Sequence, residues 1–185
     1  MATVASSTVR GIAPALRRLY FVRSGFAVVW ALLLFATKSD LGPVGVALLV
    51  LYPLFDAAAA VVDARSARAA GPARGLYVNI AISVLAAIGV AVACASGVPA
   101  VLRVWGVWAI VSGLVQLVVG VARRSMGGQW PMILSGGISV LAGASFITSA
   151  SAEDPSPGGI AGYAVLGGVF FLVSALRLGR AADKR

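Results

Sequence analysis

Asp56 is the residue of this chain that most demands a chemical explanation, because it lies in YPLFDAAAAVVDAR with apolar side chains around it on every helical face. Read as part of a membrane helix ending near Val62, it sits roughly 9–10 Å below the end of that helix at 1.5 Å per residue. An unpaired aspartate at such depth costs about 2.5–3.5 kcal/mol on insertion scales, and less away from the bilayer centre. Arg23, in YFVRSGFAVVW, enters the preceding apolar stretch from the same side by roughly 6 Å. The two are therefore expected to form an ion pair, the long arginine stem reaching inward or snorkelling outward. Asn79, Gln116, Ser135 and Ser139 fall at a similar depth on later stretches, as does Ser174. Two chemistries are open to this layer. It could be interhelical hydrogen bonding, typically worth about 0.6 kcal/mol per bond. It could also be a cavity for a proton or small polar molecule, with Asp56 as the titrating group.

The remaining inventory of reactive groups is short. There is no histidine and only one cysteine, Cys94, so the usual neutral-pH acid/base, an intramolecular disulfide and a cysteine-centred metal site are all excluded. Cys94 reads as a small apolar packing residue. No phosphate-binding glycine loop, nucleophile elbow or HExxH occurs, and six acidic residues in the whole chain leave little for hydrolysis. No enzyme, cofactor or metal is expected. Glu153 and Asp154 could sense external pH, since surface carboxylates titrate near 4; otherwise they are a solvated loop.

The elements that must position these groups are six apolar stretches, at 19–36, 41–62, 75–95, 101–122, 131–150 and 160–178. Each approaches the roughly 20 residues a helix needs to cross the hydrocarbon core. The chain is 60% hydrophobic and only 11% charged, against about 25% charged in soluble domains. The expected architecture is an all-α integral membrane protein with six transmembrane helices arranged as three helical hairpins, about 19–62, 75–122 and 131–178. A segment over 1–18 precedes them and a basic tail over 179–185 follows. Of the 15 lysines and arginines, all but Lys38 and Arg103 precede or begin the first stretch, follow the second or fourth, or close the chain from Arg177 onward. The positive-inside rule then places both termini in the cytoplasm. The net charge of +9 thus reads as a rim for anionic lipid head groups, worth about 1 kcal/mol per basic residue, rather than as a nucleic-acid surface. Arg17-Arg18 before an apolar stretch resembles an export signal. Ala36-Thr37-Lys38 lacks a small-x-small cleavage pattern, however, and the first helix is expected to be retained.

The hairpins read as copies of a unit of about 57 residues. That shift sets Leu19-Tyr20 on Leu76-Tyr77, Asp56 on Gly113 and Asp63 on Gly120; Gly168 and Ala175 take these places in the third unit. Units of two spans insert in the same orientation, so the repeats are parallel rather than inverted. Gly106, Gly113 and Gly120 recur every seven residues, as do Gly136 and Gly143, which keeps each row on one helix face and permits close backbone approach. A GxxxG also occurs at Gly158 and Gly162. Intramolecular packing is the simpler use of these stripes; a dimer interface or pore lining is the alternative.

With YPLFDAAAAVVDAR, WAIVSGLVQLVVG and GGQWPMILSGGISVLAGASF in this order, about residues 18–180 resemble the HdeD family of small bacterial inner-membrane proteins. The resemblance implies six helices in weakly similar hairpins and a role in acid resistance or envelope stress. It brings no catalytic residues. The function expected is therefore structural support of stress tolerance, through packing and through a membrane-protein partner or homo-oligomer. The alternatives are a small transporter or channel-like protein using Asp56, and an accessory subunit docked through its glycines.

Overall fold

The computed structural model describes residues 2–37, 41–67, 74–122 and 130–183. These form six α-helices: α1 (Ala2–Ala36), α2 (Pro43–Ala67), α3 (Arg74–Cys94), α4 (Val98–Ala122), α5 (Trp130–Ser149) and α6 (Gly158–Asp183). The segment over 1–18 does not stand apart, since α1 runs through it from Ala2. Local chemistry sets several boundaries. Pro43 opens α2, where a missing N–H costs nothing. Gly97, at φ 92°, takes the left-handed conformation that turns α3 into α4, and its carbonyl accepts from Ala100 and Val101 at 3.2 and 3.3 Å. Ser156 Oγ accepts from the Gly158 N–H at 3.2 Å at the start of α6.

Five helices contain stretches long and apolar enough to cross a membrane. The remaining helix, α5, runs over 20 residues, of which Ile133–Ser149 is a shorter apolar stretch. At 20 residues, roughly 30 Å, the whole helix matches a hydrocarbon core of about 30 Å. The outward faces are apolar throughout: Leu32, Leu85, Val92, Val118 and Leu141 are between 64% and 73% exposed. A water-soluble protein would hide such surface, and here it meets lipid. The chain is a multi-pass membrane protein.

The helices close into a cycle in chain order, with α6 returning to α1. The most extensive seams are α4–α5, α1–α6 and α2–α3, whereas helices within one predicted hairpin touch less. The connections that carry most arginines thus join the tightest neighbours. Exposed Arg17, Arg18, Arg65, Arg74 and Arg177 mark one end of the bundle, hereafter the arginine end. Exposed Arg103, Glu153 and Asp154 belong to the opposite end. Arg68, Arg123, Arg124, Lys184, Arg185 and Lys38 lie outside the described residues.

The core is built from all the helices. Trp30, Leu34, Leu49, Val90, Trp105, Phe146 and Ile160 meet in one cluster displaced toward the end opposite the arginines. Pro53 is buried within α2; lacking an N–H, it leaves the Leu49 carbonyl without its helical donor. One residue earlier, the Leu48 carbonyl accepts from Trp30 Nε1 at 2.6 Å, joining α1 to α2.

A candidate functional site around Asp56

Asp56 follows Pro53 on α2 and meets donors from two other helices. Arg23 Nη2 of α1 pairs with Asp56 Oδ1. On α3, Asn79 Nδ2 donates to Oδ2 at 2.9 Å and Ser83 Oγ donates to the same oxygen at 2.8 Å. Asn79 and Ser83 are one turn apart, so they share a face of α3 and can converge on a single atom. Ser83 also accepts from Trp108 Nε1 of α4 at 3.3 Å. On the other side, the Arg23 guanidinium lies 4.2 Å from the centre of the Phe171 ring of α6, a cation–π distance. One carboxylate is thereby linked to α1, α3, α4 and α6, with both its oxygens engaged. Only 16% and 14% of the Arg23 and Asp56 side chains remain accessible.

An aromatic layer adjoins the network. Tyr52, one turn before Asp56, stacks among Trp30, Trp105 and Trp108 at ring-centre distances of 4.6 to 6.2 Å. Phe26 and Phe55 stack 3.6 Å apart beside it. Such rings add about 0.5–1.5 kcal/mol per pair beyond burial. Against this, Trp105 Nε1 is buried with no hydrogen-bond partner among the described residues, a cost of about 1–3 kcal/mol. The cavity bordering the ion pair, lined by Arg23, Phe26, Tyr52, Phe55, Asp56 and Phe171, measures about 10 Å³. That is the lower limit for one water molecule and far below the 300–1,000 Å³ of ligand pockets.

The layer expected from the sequence therefore divides. Arg23, Asp56 and Asn79 come together. Ser139 of α5 instead shares a 2.8 Å hydrogen bond with Tyr163 of α6, whose ring also meets Phe146 edge-on at 5.8 Å. Gln116 and Ser135 are half-buried on α4 and α5, and neither joins the Asp56 network. Ser83, Trp108, Tyr163 and Phe171 enter the site without having been singled out. Only Ser83 carried a signal, its spacing of four from Asn79.

The glycine rows form a separate seam. A methyl group on Gly113 would fall 2.8 Å from the Gly136 carbonyl oxygen, and one on Gly106 would fall 2.6 Å from that of Gly143. The reciprocal positions are as close, at 2.8 and 2.5 Å. The rows thus face each other in matched pairs along α4 and α5. Gly120 continues the row on α4, but its surroundings lie outside the described residues. Gly162 has nothing within 4 Å of an added methyl.

The repeat-related positions Asp56, Gly113 and Gly168 occupy equivalent places in the cycle. Gly113 abuts α5, and Gly168 abuts Ala27 and the Ser24 carbonyl of α1 at 3.2 and 3.4 Å. Asp56 meets α3 by hydrogen bonds. Two of three seams use bare backbone at this level and the third uses a polar clasp.

Among the described residues, no group of three His, Cys, Asp or Glu side chains is placed to hold a metal ion. No family model matches the chain, and neither a curated protein nor a solved structure matches it.

Proposed function

We propose that this chain is a non-enzymatic, HdeD-type protein of the bacterial inner membrane that supports acid or envelope stress tolerance as a packed scaffold. In this reading all six helices cross the bilayer and both termini are cytoplasmic. The observation that carries it is the engagement of Asp56: both carboxylate oxygens accept from structural donors on other helices, and the adjoining space holds at most one water. A carboxylate serving transport needs a vacant oxygen and a chamber. This one is used as a fastener. Support for the sixth span comes from α5, whose glycines lie against α4 over two helical turns, so the two share one depth. Support for the orientation comes from the exposed arginines Arg17, Arg18, Arg65, Arg74 and Arg177 at one end, against Arg103 at the other.

Survival of a deletion strain at low pH tests the role. Reduced survival, restored by the intact chain, is expected; normal survival rejects the stress assignment. In proteoliposomes, the expected result is a proton leak equal to that of empty vesicles, for the natural chain and for Asp56→Asn alike. Flux that disappears with Asp56→Asn would instead establish transport.

A further inference from the structure

A second feature lies on the outer surface, between α3 and α4. A groove of about 410 Å³ runs along the bundle there, lined by Ile82, Leu85 and Ala86 on α3 and by Val107, Val111 and Arg103 on α4. Its volume falls within the range of ligand sites. Gly89 closes one end, where the Val104 side chain comes within 3.1 Å of a methyl group built on it. Every lining residue is apolar except Arg103 and the indole of Trp108. Arg103 is exposed and makes no ion pair among the described residues.

Position and direction identify what fits. Arg103 lies roughly 7–8 Å inside the start of α4 at 1.5 Å per residue. Helix Cα–Cβ bonds tilt toward the N-terminus, so its side chain leans back toward Val98 and the nearer bilayer surface, as a snorkelling arginine does. From Arg103 to Val111 the groove extends roughly 12 Å toward the bilayer middle, close to the half-thickness of about 15 Å that one leaflet occupies. A cation at head-group level above an apolar channel one leaflet deep matches a phosphodiester attached to a hydrocarbon chain. A helix from a second copy would place apolar side chains over Arg103 and strand its charge.

We propose that the α3–α4 groove is a phospholipid site, with the lipid phosphate on the Arg103 guanidinium and one acyl chain against Leu85, Ala86 and Val107. Trp108 forms part of the wall and donates to Ser83, so an occupied groove bears on the Asp56 network from outside.

Native mass spectrometry of the full chain in mild detergent, with added phosphatidylglycerol, tests the site. A single-lipid adduct is expected. Arg103→Gln should weaken it by about tenfold or more, the loss of a charge-assisted contact, and Arg103→Lys should retain most of it. Val107→Trp should abolish it; because Val107 is 54% exposed, this change fills the groove without disturbing the core. Arg177→Gln, at the other end, should bind as the natural chain does. Equal binding by the natural chain, Arg103→Gln and Val107→Trp overturns the proposal. So does a protein dimer without lipid that Val107→Trp dissociates, since it would assign the groove to a second copy.

Discussion

At the scale of single residues, the Asp56 clasp behaves as a charge pair whose value lies in completeness. Changing Asp56 to Asn leaves the Arg23 guanidinium without its directly bonded counter-ion, with only the more distant Asp63 carboxylate nearby. We expect a loss on the order of 3 kcal/mol, at the low end for buried pairs because 16% and 14% of the two side chains stay accessible. Reversible unfolding in mixed micelles measures it. Adding Arg23→Leu should recover much of the loss, since removing both charges removes the desolvation penalty; additive losses would show that the residues act independently. Ser83→Ala should cost about 1 kcal/mol, because it deprives both Asp56 and Trp108 of a partner. Arg23, Asp56 and Asn79 were legible in the sequence, because a charge or amide inside an apolar run stands out by contrast. Ser83 and Trp108 were not, since hydroxyls and indoles are ordinary in membrane helices and only the pairing register shows which ones meet. Gln116 and Ser135 illustrate the converse: depth can be counted along a helix, but azimuth depends on the neighbour.

Among elements, the α4–α5 seam is the most sharply defined. Its glycines were legible as stripes from their seven-residue spacing and as sites of intramolecular packing, but not as partners of one another. Gly113→Leu would drive its side chain into the Gly136 carbonyl and the backbone beside Val140, where no flexible group can yield. The helices would have to separate, at a cost of about 2–3 kcal/mol or more, read as a lower unfolding midpoint. Gly162→Leu, with open space around it, should leave stability within about 0.5 kcal/mol. Equal effects would mean that the seam contributes nothing special. The same geometry removes the paired glycines from any partner interface, so an accessory role would need a different face.

For the whole molecule, the number of helices and the one-sided charge followed from composition and spacing, but the order around the bundle did not. Three parallel units can close in several ways, and only side-chain register chooses among them. In the cycle found here, Ala27 and Gly168 bring α1 and α6 within 3.2 Å of Cβ contact. Cysteines at both positions, in a Cys94→Ser background, should therefore cross-link on mild oxidation, since disulfide Cβ atoms lie about 3.5–4.5 Å apart. Ala27→Cys paired with Gly162→Cys serves as the control. Failure of the first pair to link would reject the closure.

That closure also imposes a schedule on synthesis. One of the most extensive seams of the bundle joins α1 to α6, which leaves the ribosome five helices later. Until α6 is inserted, the Ser24–Ala27 surface has only lipid beside it and Arg23 lacks the ring of Phe171. A nascent chain halted before Gly158 holds α1 chiefly by its α2 contacts and by Trp30 against Trp105 of α4. Completion of α6 is thus the event that seals α1, and a copy cut short before α6 displays its defect at α1, far along the chain from where the damage lies.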